Sequence, residues 1–119
     1  MKKIAFIFMN LPHGKSSSRE GLDAILASTV LTDNIGVFFI SDGVCQLLKY
    51  QCPKEILAHD YIASYPVLPL YNVYKYYISL DDLKKRGFSN KNEFVLPVLY
   101  MSSNQIKKQL ITYDVILTY

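Results

Sequence analysis

The segment from Ile78 to Phe88, ISLDDLKKRGF, places a hydroxyl group where a nucleophile would gain most from the backbone. It predicts the end of a strand followed at once by a short helix, with Ser79 at the helix N-terminus. Free amides and the helix dipole stabilise a thiolate at such a position. A serine oxygen is a poor nucleophile unless a base activates it, and Asp81 and Asp82 would repel developing negative charge. We therefore expect Ser79 to cap the helix rather than to catalyse a reaction.

Two cysteines are the other candidates for sulfur chemistry. Cys45 and Cys52 have neither a CxxC redox spacing nor a zinc-binding spacing, and in a reducing compartment both are expected to be thiols. Cys45 follows a predicted strand end, where a thiol near a helix start can have a low pKa. Its apolar neighbours favour an inert, buried thiol. The residues alone leave both interpretations open.

Two polar residues lie in predicted loops at strand ends. His13, in LPHG, could act as a base, but no serine, cysteine or carboxylate partner can be assigned to it. Asp42, in SDG, could hold a metal or a hydroxyl, although capping of the following helix is the simpler expectation. The chain lacks the GxGxxG and P-loop patterns. We therefore predict no nucleotide, cofactor or metal site.

The chain has ten tyrosines and no tryptophan. Tyrosine is enriched at protein interfaces, but β-propensity alone would also place it in strands. Half of the residues are hydrophobic and only 19% are charged, which favours subunit contacts. The net charge of +3 is too small to indicate direct nucleic-acid binding. The candidate interface residues are Tyr71, Tyr74, Tyr76, Tyr77 and Tyr119.

Five apolar segments predict the β-strands that must position these residues. They are Ile4–Phe8, Ile35–Ile40, Tyr74–Ile78, Phe94–Tyr100 and Val115–Leu117. Pro97 cannot donate to a ladder, so its strand is predicted to be bulged or at a sheet edge. Helical signals between the strands indicate a parallel sheet with helices on both faces, in one domain spanning residues 1–119.

Two capping boxes predict helix starts, one from Ser17 to Glu20 and one from Ser102 to Gln105. A third helix is expected over Leu80–Arg86, ended by Gly87. The first helix should bury Leu22, Ile25, Leu26 and Val30. The helix after Ser102 should bury Ile106, Leu110 and Ile111.

The middle of the chain gives weaker signals. Val44–Leu48 is predicted to start a helix, and Lys54–Tyr65 is predicted to form one or two short helices. Pro66 and Pro69 are expected to force an extended path. At the N-terminus, MKKIAFIFMNL is interrupted by Asn10 and lacks a cleavage site, so a buried strand is favoured over a signal peptide. With no stretch long enough to span a membrane, we expect a cytoplasmic protein.

Three stretches carry a family resemblance: IAFIFMNLPHGKSSSREGLDAILA, VFFISDGVCQLL and YYISLDDLKKRGF. With the closing YDVIL, they resemble the DsrF-like branch of the DsrE/DsrF/DsrH sulfur-relay family over the whole length of the chain. The resemblance implies a three-layer α/β/α fold with a five-stranded parallel sheet. It also implies a heterohexamer, a dimer of heterotrimers, formed with TusB-like and TusD-like subunits.

In that family the complex passes persulfide sulfur to a TusE-like carrier, and the sulfur ends as the 2-thio group of wobble uridine (mnm5s2U) in tRNA. The accepting cysteine of the TusD-like subunit corresponds in position to Ser79. This chain departs from that pattern, so we expect a non-catalytic subunit without a cofactor, direct nucleic-acid contact or membrane contact. The alternatives are a persulfide carrier that uses Cys45 or Cys52, and a free-standing domain that binds a small ligand.

Overall fold

The computed structural model describes residues 2–10, 17–46, 61–88, 94 and 96–119. The strands are β1 (Ile4–Phe8), β2 (Ile35–Phe39), β3 (Lys75–Ser79), β4 (Leu99–Met101) and β5 (Val115–Thr118). The α-helices are α1 (Ser17–Ser28), α2 (Leu80–Lys85) and α3 (Ser103–Leu110). Two 3₁₀ segments complete the description: the first is Ser41–Cys45 and the second is Tyr61–Tyr71.

All five strands are parallel and lie in the order β4-β3-β2-β1-β5, which confirms the predicted sheet. The chain moves in one direction from β1 to β4 and then returns across the sheet to β5. Because such crossovers are right-handed, the return places α3 on the face opposite the earlier connections.

The side chains confirm that layering. On one face, Phe6 and Val37 of the sheet share a core cluster with Leu22 and Ile25 of α1. On the other face, Ile7 and Phe38 pack in a cluster that contains Ile106 of α3. Alternate residues of each strand thus supply the two cores of a three-layer α/β/α structure.

Glycine is needed at two connections. A Cβ on Gly43 would overlap the carbonyl oxygen of Phe8, so the loop after β2 can approach the end of β1 only because residue 43 has no side chain. Gly87 has φ +79° and follows α2, as predicted for a helix stop. Gly43 thus sets how closely the loop after β2 approaches the end of β1, whereas Gly87 is needed for its backbone conformation.

Two predicted core residues are exposed instead. α1 ends at Ser28, whose hydroxyl donates to the carbonyl of Ala24, and the turn that follows leaves Val30 83% exposed. α3 ends at Leu110, and Ile111 is 81% exposed in the capping position. Both predictions were wrong because the helical period was extended past the residue where the helix stops.

Three further elements differ from the predictions. Pro66 and Pro69 lie inside the second 3₁₀ segment rather than in an extended stretch, since the proline φ also suits a 3₁₀ turn. A 3₁₀ segment at Ser41–Cys45 replaces the predicted helix start at residue 44. Pro97 precedes β4, which is shorter than predicted but does lie at a sheet edge.

The capping box of α3 is confirmed, because Ser102 accepts from the Gln105 amide and the Gln105 side chain accepts from the Ser102 amide. α1 begins at Ser17, but the predicted capping contact of that side chain lies outside the described residues. Residues 54–60 of the predicted middle helices also lie outside them.

Candidate functional site

Ser79 is the last residue of β3 and the N-cap of α2. Its Oγ accepts a hydrogen bond from the Asp82 amide at 3.2 Å, and the residue is only 1% exposed. The predicted capping role is confirmed. A hydroxyl that is buried and bonded to the backbone in this way has little freedom to attack a substrate.

A polar cluster joins the loop after β2 to α2. The Ser41 amide donates to Asp82 Oδ2 at 2.7 Å, and Ser41 itself has φ +54°. Arg86 donates from Nε to Asp42 Oδ1 at 2.9 Å and from Nη1 to the Asp82 carbonyl at 3.1 Å. These bonds hold an unfavourable backbone conformation at Ser41 and fix the start of α2 beside the end of β2.

The predicted cap role of Asp42 was wrong. The N-cap of the first 3₁₀ segment is Ile40, which makes no side-chain capping bond, and the Asp42 carboxylate forms an ion pair with Arg86 instead. The role of Arg86 as the partner of Asp42 was not predicted from the sequence. Since the carboxyl ends of parallel strands meet at one edge of a sheet, the positions of Asp42 after β2 and Arg86 after β3 were the available signal.

Asp81 connects α2 to α3. Its Oδ2 accepts from the Ser103 amide at 2.9 Å, at the N-terminus of α3. Hydrogen bonds from Ser103 lower the pKa of the Asp81 carboxyl, with smaller contributions from the charges of Lys84 and Lys85. The amide at this helix start is therefore already satisfied by a side chain of the protein.

A pocket of about 210 Å³ lies at the carboxyl end of β3. It opens between α2 and α3, where the helices that follow the adjacent strands β3 and β4 leave the sheet on opposite faces. In open α/β sheets this is the place where ligands bind. The described lining residues are Ile40, Ser79, Asp82, Ser103, Ile106, Lys107 and Leu110.

The walls of this pocket are largely apolar, and none of its described lining residues is a cysteine or a histidine. Lys107 supplies a positive charge and Asp82 a negative one, with Ser79 between β3 and α2. The pocket can hold a small apolar group, but these residues provide neither a thiol nor an imidazole base. The contribution of α3 could not be foreseen from the sequence, because it depends on the return of the chain to β5.

Cys45 ends the first 3₁₀ segment and is partly buried. Burial raises the pKa of its thiol, while the Arg86 charge opposes this change and Asp42 adds to it. A raised pKa reduces the fraction of reactive thiolate at neutral pH. Cys52 and His13 lie outside the described residues.

The predicted interface tyrosines separate into three groups by exposure. Tyr76 and Tyr77 are 1% and 7% exposed and lie in the cores on opposite faces of the sheet, so they offer no surface to a partner. Their positions in β3 agree with the high β-propensity of tyrosine. The prediction that Tyr76 and Tyr77 belong to an interface was therefore wrong. Tyr71 and Tyr74 are 50% and 64% exposed.

Tyr119 is partly buried, and its ring lies 6.4 Å from that of Phe6 and 6.0 Å from that of Phe8. Tyr113 is also in the core, in an edge-to-face contact with Phe38. Tyr119 had been predicted as a possible interface residue, and its ring contacts place part of it against the core instead. Both tyrosines help to close the core around β1 and β2.

Within the described segments, no three His, Cys, Asp or Glu side chains come together as the ligands of a metal ion would. Across the same segments, no helix combines the length and apolar character that crossing a bilayer requires.

Comparison with known proteins agrees with this architecture. The model of the DsrE/DsrF-like family matches residues 2–119. Protein TusC from Escherichia coli O1:K1 and protein TusC from Escherichia coli O157:H7 are each 44% identical to the chain over 119 residues, covering 100% of both chains. The crystal structure of the ychN protein from E. coli superposes with a TM-score of 0.81 at 22% identity, covering 100% of both chains, and supports the fold. The chain belongs to the DsrE/DsrF-like family.

Proposed function

We propose that the chain is a non-catalytic, TusC-like subunit of a sulfur-relay complex. Its partners are TusB-like and TusD-like subunits in a heterohexamer, and the complex hands persulfide sulfur to a TusE-like carrier for 2-thiolation of wobble uridine in tRNA. The full-length similarity to protein TusC supports the assignment. The chain acts in the cytoplasm, where these substrates are found.

The observation that carries the non-catalytic role is the state of Ser79. A sulfur relay needs a sulfur atom that can form and break an S–S bond, and a hydroxyl forms no stable persulfide. Here the oxygen is buried and bonded to the Asp82 amide, and the described residues that line the adjacent pocket include no histidine that could activate it as a base. The chain therefore contributes to the complex by binding and shaping its partners.

The two alternatives have less support. A persulfide on Cys45 requires an accessible thiolate, whereas the thiol is partly buried with a raised pKa. A free-standing ligand-binding domain is expected to offer a pocket of about 300–1,000 Å³, the usual range for small molecules. Among the residues that the structure describes, the pocket at Ser79 has about 210 Å³, which is below that range.

Reconstituted sulfur transfer tests the proposal. The two partner subunits are loaded by a cysteine desulfurase with cysteine, and transfer to the carrier is followed with and without this chain. We expect transfer to fall when the chain is omitted and to be restored by the wild-type chain and by the Ser79→Ala variant alike. Full transfer by the partners alone would reject the subunit role, and a persulfide found on Cys45 or Cys52 by mass spectrometry would reject the non-catalytic role.

A further inference from the structure

Exposed apolar side chains gather at the amino-terminal edge of the sheet. Val30 and Leu31, in the turn between α1 and β2, are 83% and 77% exposed. Leu70 and Tyr71, at the end of the second 3₁₀ segment, are 80% and 50% exposed, and Tyr74 beside them is 64% exposed. We call these five residues the amino-edge patch.

The topology brings the two parts of the patch together. α1 packs against the second 3₁₀ segment on the same face of the sheet. These two elements lead into β2 and β3, which are adjacent and parallel, with Gly36 opposite Lys75. Tyr74 is two residues before Tyr76, whose side chain faces the α1 layer, so Tyr74 belongs to the same face.

The patch has no charged residue within it. Residues 29–32 read TVLT and residues 69–74 read PLYNVY. Polar groups here are bonded internally: Thr29 Oγ1 donates to the Leu26 carbonyl at 2.7 Å, and Thr32 Oγ1 donates to the Lys2 carbonyl at 2.8 Å. The charged neighbours lie at the rim of the patch: Asp33 is exposed, and Lys75 Nζ donates to Asn34 Oδ1 at 3.1 Å. A partner that covers the five residues must therefore leave this rim in contact with water or pair with it.

The size of the patch suits an interface between subunits. The five exposed fractions correspond to an accessible area on the order of 600 Å², which includes backbone atoms and the two tyrosine hydroxyls. The largest apolar patch on a typical monomer is about 300–600 Å², and a standard interface buries about 800 Å² per partner. The patch thus supplies most of the area that one side of a stable interface needs.

Other exposed apolar residues are more dispersed. Leu99 and Tyr100 lie on β4, whereas Ile116 and Leu117 lie on β5 at the opposite edge of the sheet. Ile111 is as exposed as Leu70 but follows α3, on the other layer of the molecule. The amino-edge patch combines two connections that lead into adjacent parallel strands, and each of them exposes apolar residues.

We propose that the amino-edge patch docks a neighbouring subunit of related fold through an apolar, uncharged surface on that subunit. The inference rests on the proposed function, because it takes the occupant to be a subunit of the sulfur-relay complex. Tyr71 and Tyr74 are the anchors, since tyrosine contributes large rigid areas and a polar tip at interface centres. The patch lies at the edge of the sheet opposite Ser79, so docking there leaves the pocket at the carboxyl edge open.

Matched lysine substitutions test the patch in the full complex. Leu70→Lys and Leu31→Lys place a charge in the patch, whereas Ile111→Lys makes the same kind of change at a residue with the same exposure as Leu70. We expect the two patch variants to bind the TusB-like and TusD-like subunits more than tenfold more weakly than the wild-type chain. The Ile111→Lys variant should bind as the wild type does, and circular dichroism should show that all three fold.

Hydrogen exchange of the wild-type complex gives a second measurement that does not depend on variants. Amides of residues 29–32 and 70–74 should exchange more slowly in the complex than in the lone chain. Unchanged exchange together with unchanged affinity of the patch variants would overturn the inference and leave the proposed function intact. Failure of the wild-type chain to bind either subunit would reject both. Self-association of the lone chain that the patch variants abolish, with hetero-association unaffected, would identify a second copy as the occupant and also overturn the inference.

Discussion

At the scale of single residues, the oxygen of Ser79 is engaged by the helix that follows it. Its bond to the Asp82 amide, its burial and the carboxylate of Asp82 favour capping and disfavour nucleophilic attack. This role was predictable from the spacing of serine and aspartate around a strand end. The ion pair of Arg86 with Asp42 was not predicted, because it joins two loops that only the parallel sheet brings together.

The capping bond predicts the effect of Ser79→Ala. Losing an N-cap hydroxyl usually costs about 1 kcal/mol of the free energy of unfolding, and we expect a loss of that size in urea denaturation. Sulfur transfer by the reconstituted complex should remain within twofold of wild type. Ser102→Ala, which removes the cap of α3, is the matched control for stability. A stable Ser79→Ala variant with transfer reduced tenfold or more would show that the hydroxyl takes part in the reaction.

Asp81 predicts a dependence of stability on pH. Its folded-state pKa is below the ordinary value of 3.8, because the Ser103 amide binds the ionised form. The resulting stabilisation is complete above the unfolded-state pKa and is lost as the pH falls through the lower folded-state pKa. We therefore expect Asp81→Asn to be less stable than wild type at pH 7, with a difference that shrinks towards pH 2.

Denaturation midpoints measured across that pH range would check this expectation. Asp23→Asn, on the exposed side of α1, is the matched substitution. A difference between wild type and Asp81→Asn that stays constant down to pH 2 would contradict the assigned hydrogen bond.

At the scale of elements, the succession of strands and helices along the chain was predicted from the sequence. The residues at which individual elements end were predicted less accurately. Apolar runs marked β1 and β2, since strands buried on both faces need apolar residues at nearly every position. The end of α1 was placed too late, because Val30 continues the helical spacing of Leu22 and Leu26 although the backbone turns at Ser28. Pro66 and Pro69 were predicted to force an extended path, but they lie in the second 3₁₀ segment. The fixed φ of proline is compatible with both an extended and a 3₁₀ conformation, so it did not distinguish between them.

Two glycine substitutions separate backbone strain from crowding in the connections. Gly87 has φ +79° and open space where an added methyl group would lie, so Gly87→Ala should cost about 1 kcal/mol through backbone strain alone. Gly43→Ala should cost more, roughly 3 kcal/mol, because its Cβ meets the Phe8 carbonyl, which is held in the ladder. Urea denaturation of the two variants measures both losses. Equal losses would show that the loop after β2 can move away from β1 freely.

At the scale of the whole molecule, the parallel arrangement was predicted but the strand order was not. Nothing local in the sequence says that β5 returns to the side of β1, yet this return creates the α3 layer and the pocket at Ser79. The same topology separates the carboxyl edge, with Ser79, from the amino edge, with its exposed apolar connections. Tyrosines could be assigned to core or surface only after strand order and register were known, as Tyr74 and Tyr76 illustrate.

The strand order also predicts how stability is distributed through the sheet. β2 is paired on both sides and all five of its residues are buried, whereas β4 has three residues, none of them buried, and only β3 as a neighbour. Local opening of an edge costs less free energy than opening of the centre. In the lone chain, amides of Ile35–Phe39 should therefore exchange with solvent far more slowly than those of Leu99–Met101. The exchange rates of the β5 amides should be intermediate. Native-state hydrogen exchange with mass spectrometry measures this order. Protection of β4 equal to that of β2 in the lone chain would mean that its free edge is covered and would contradict the edge position of β4.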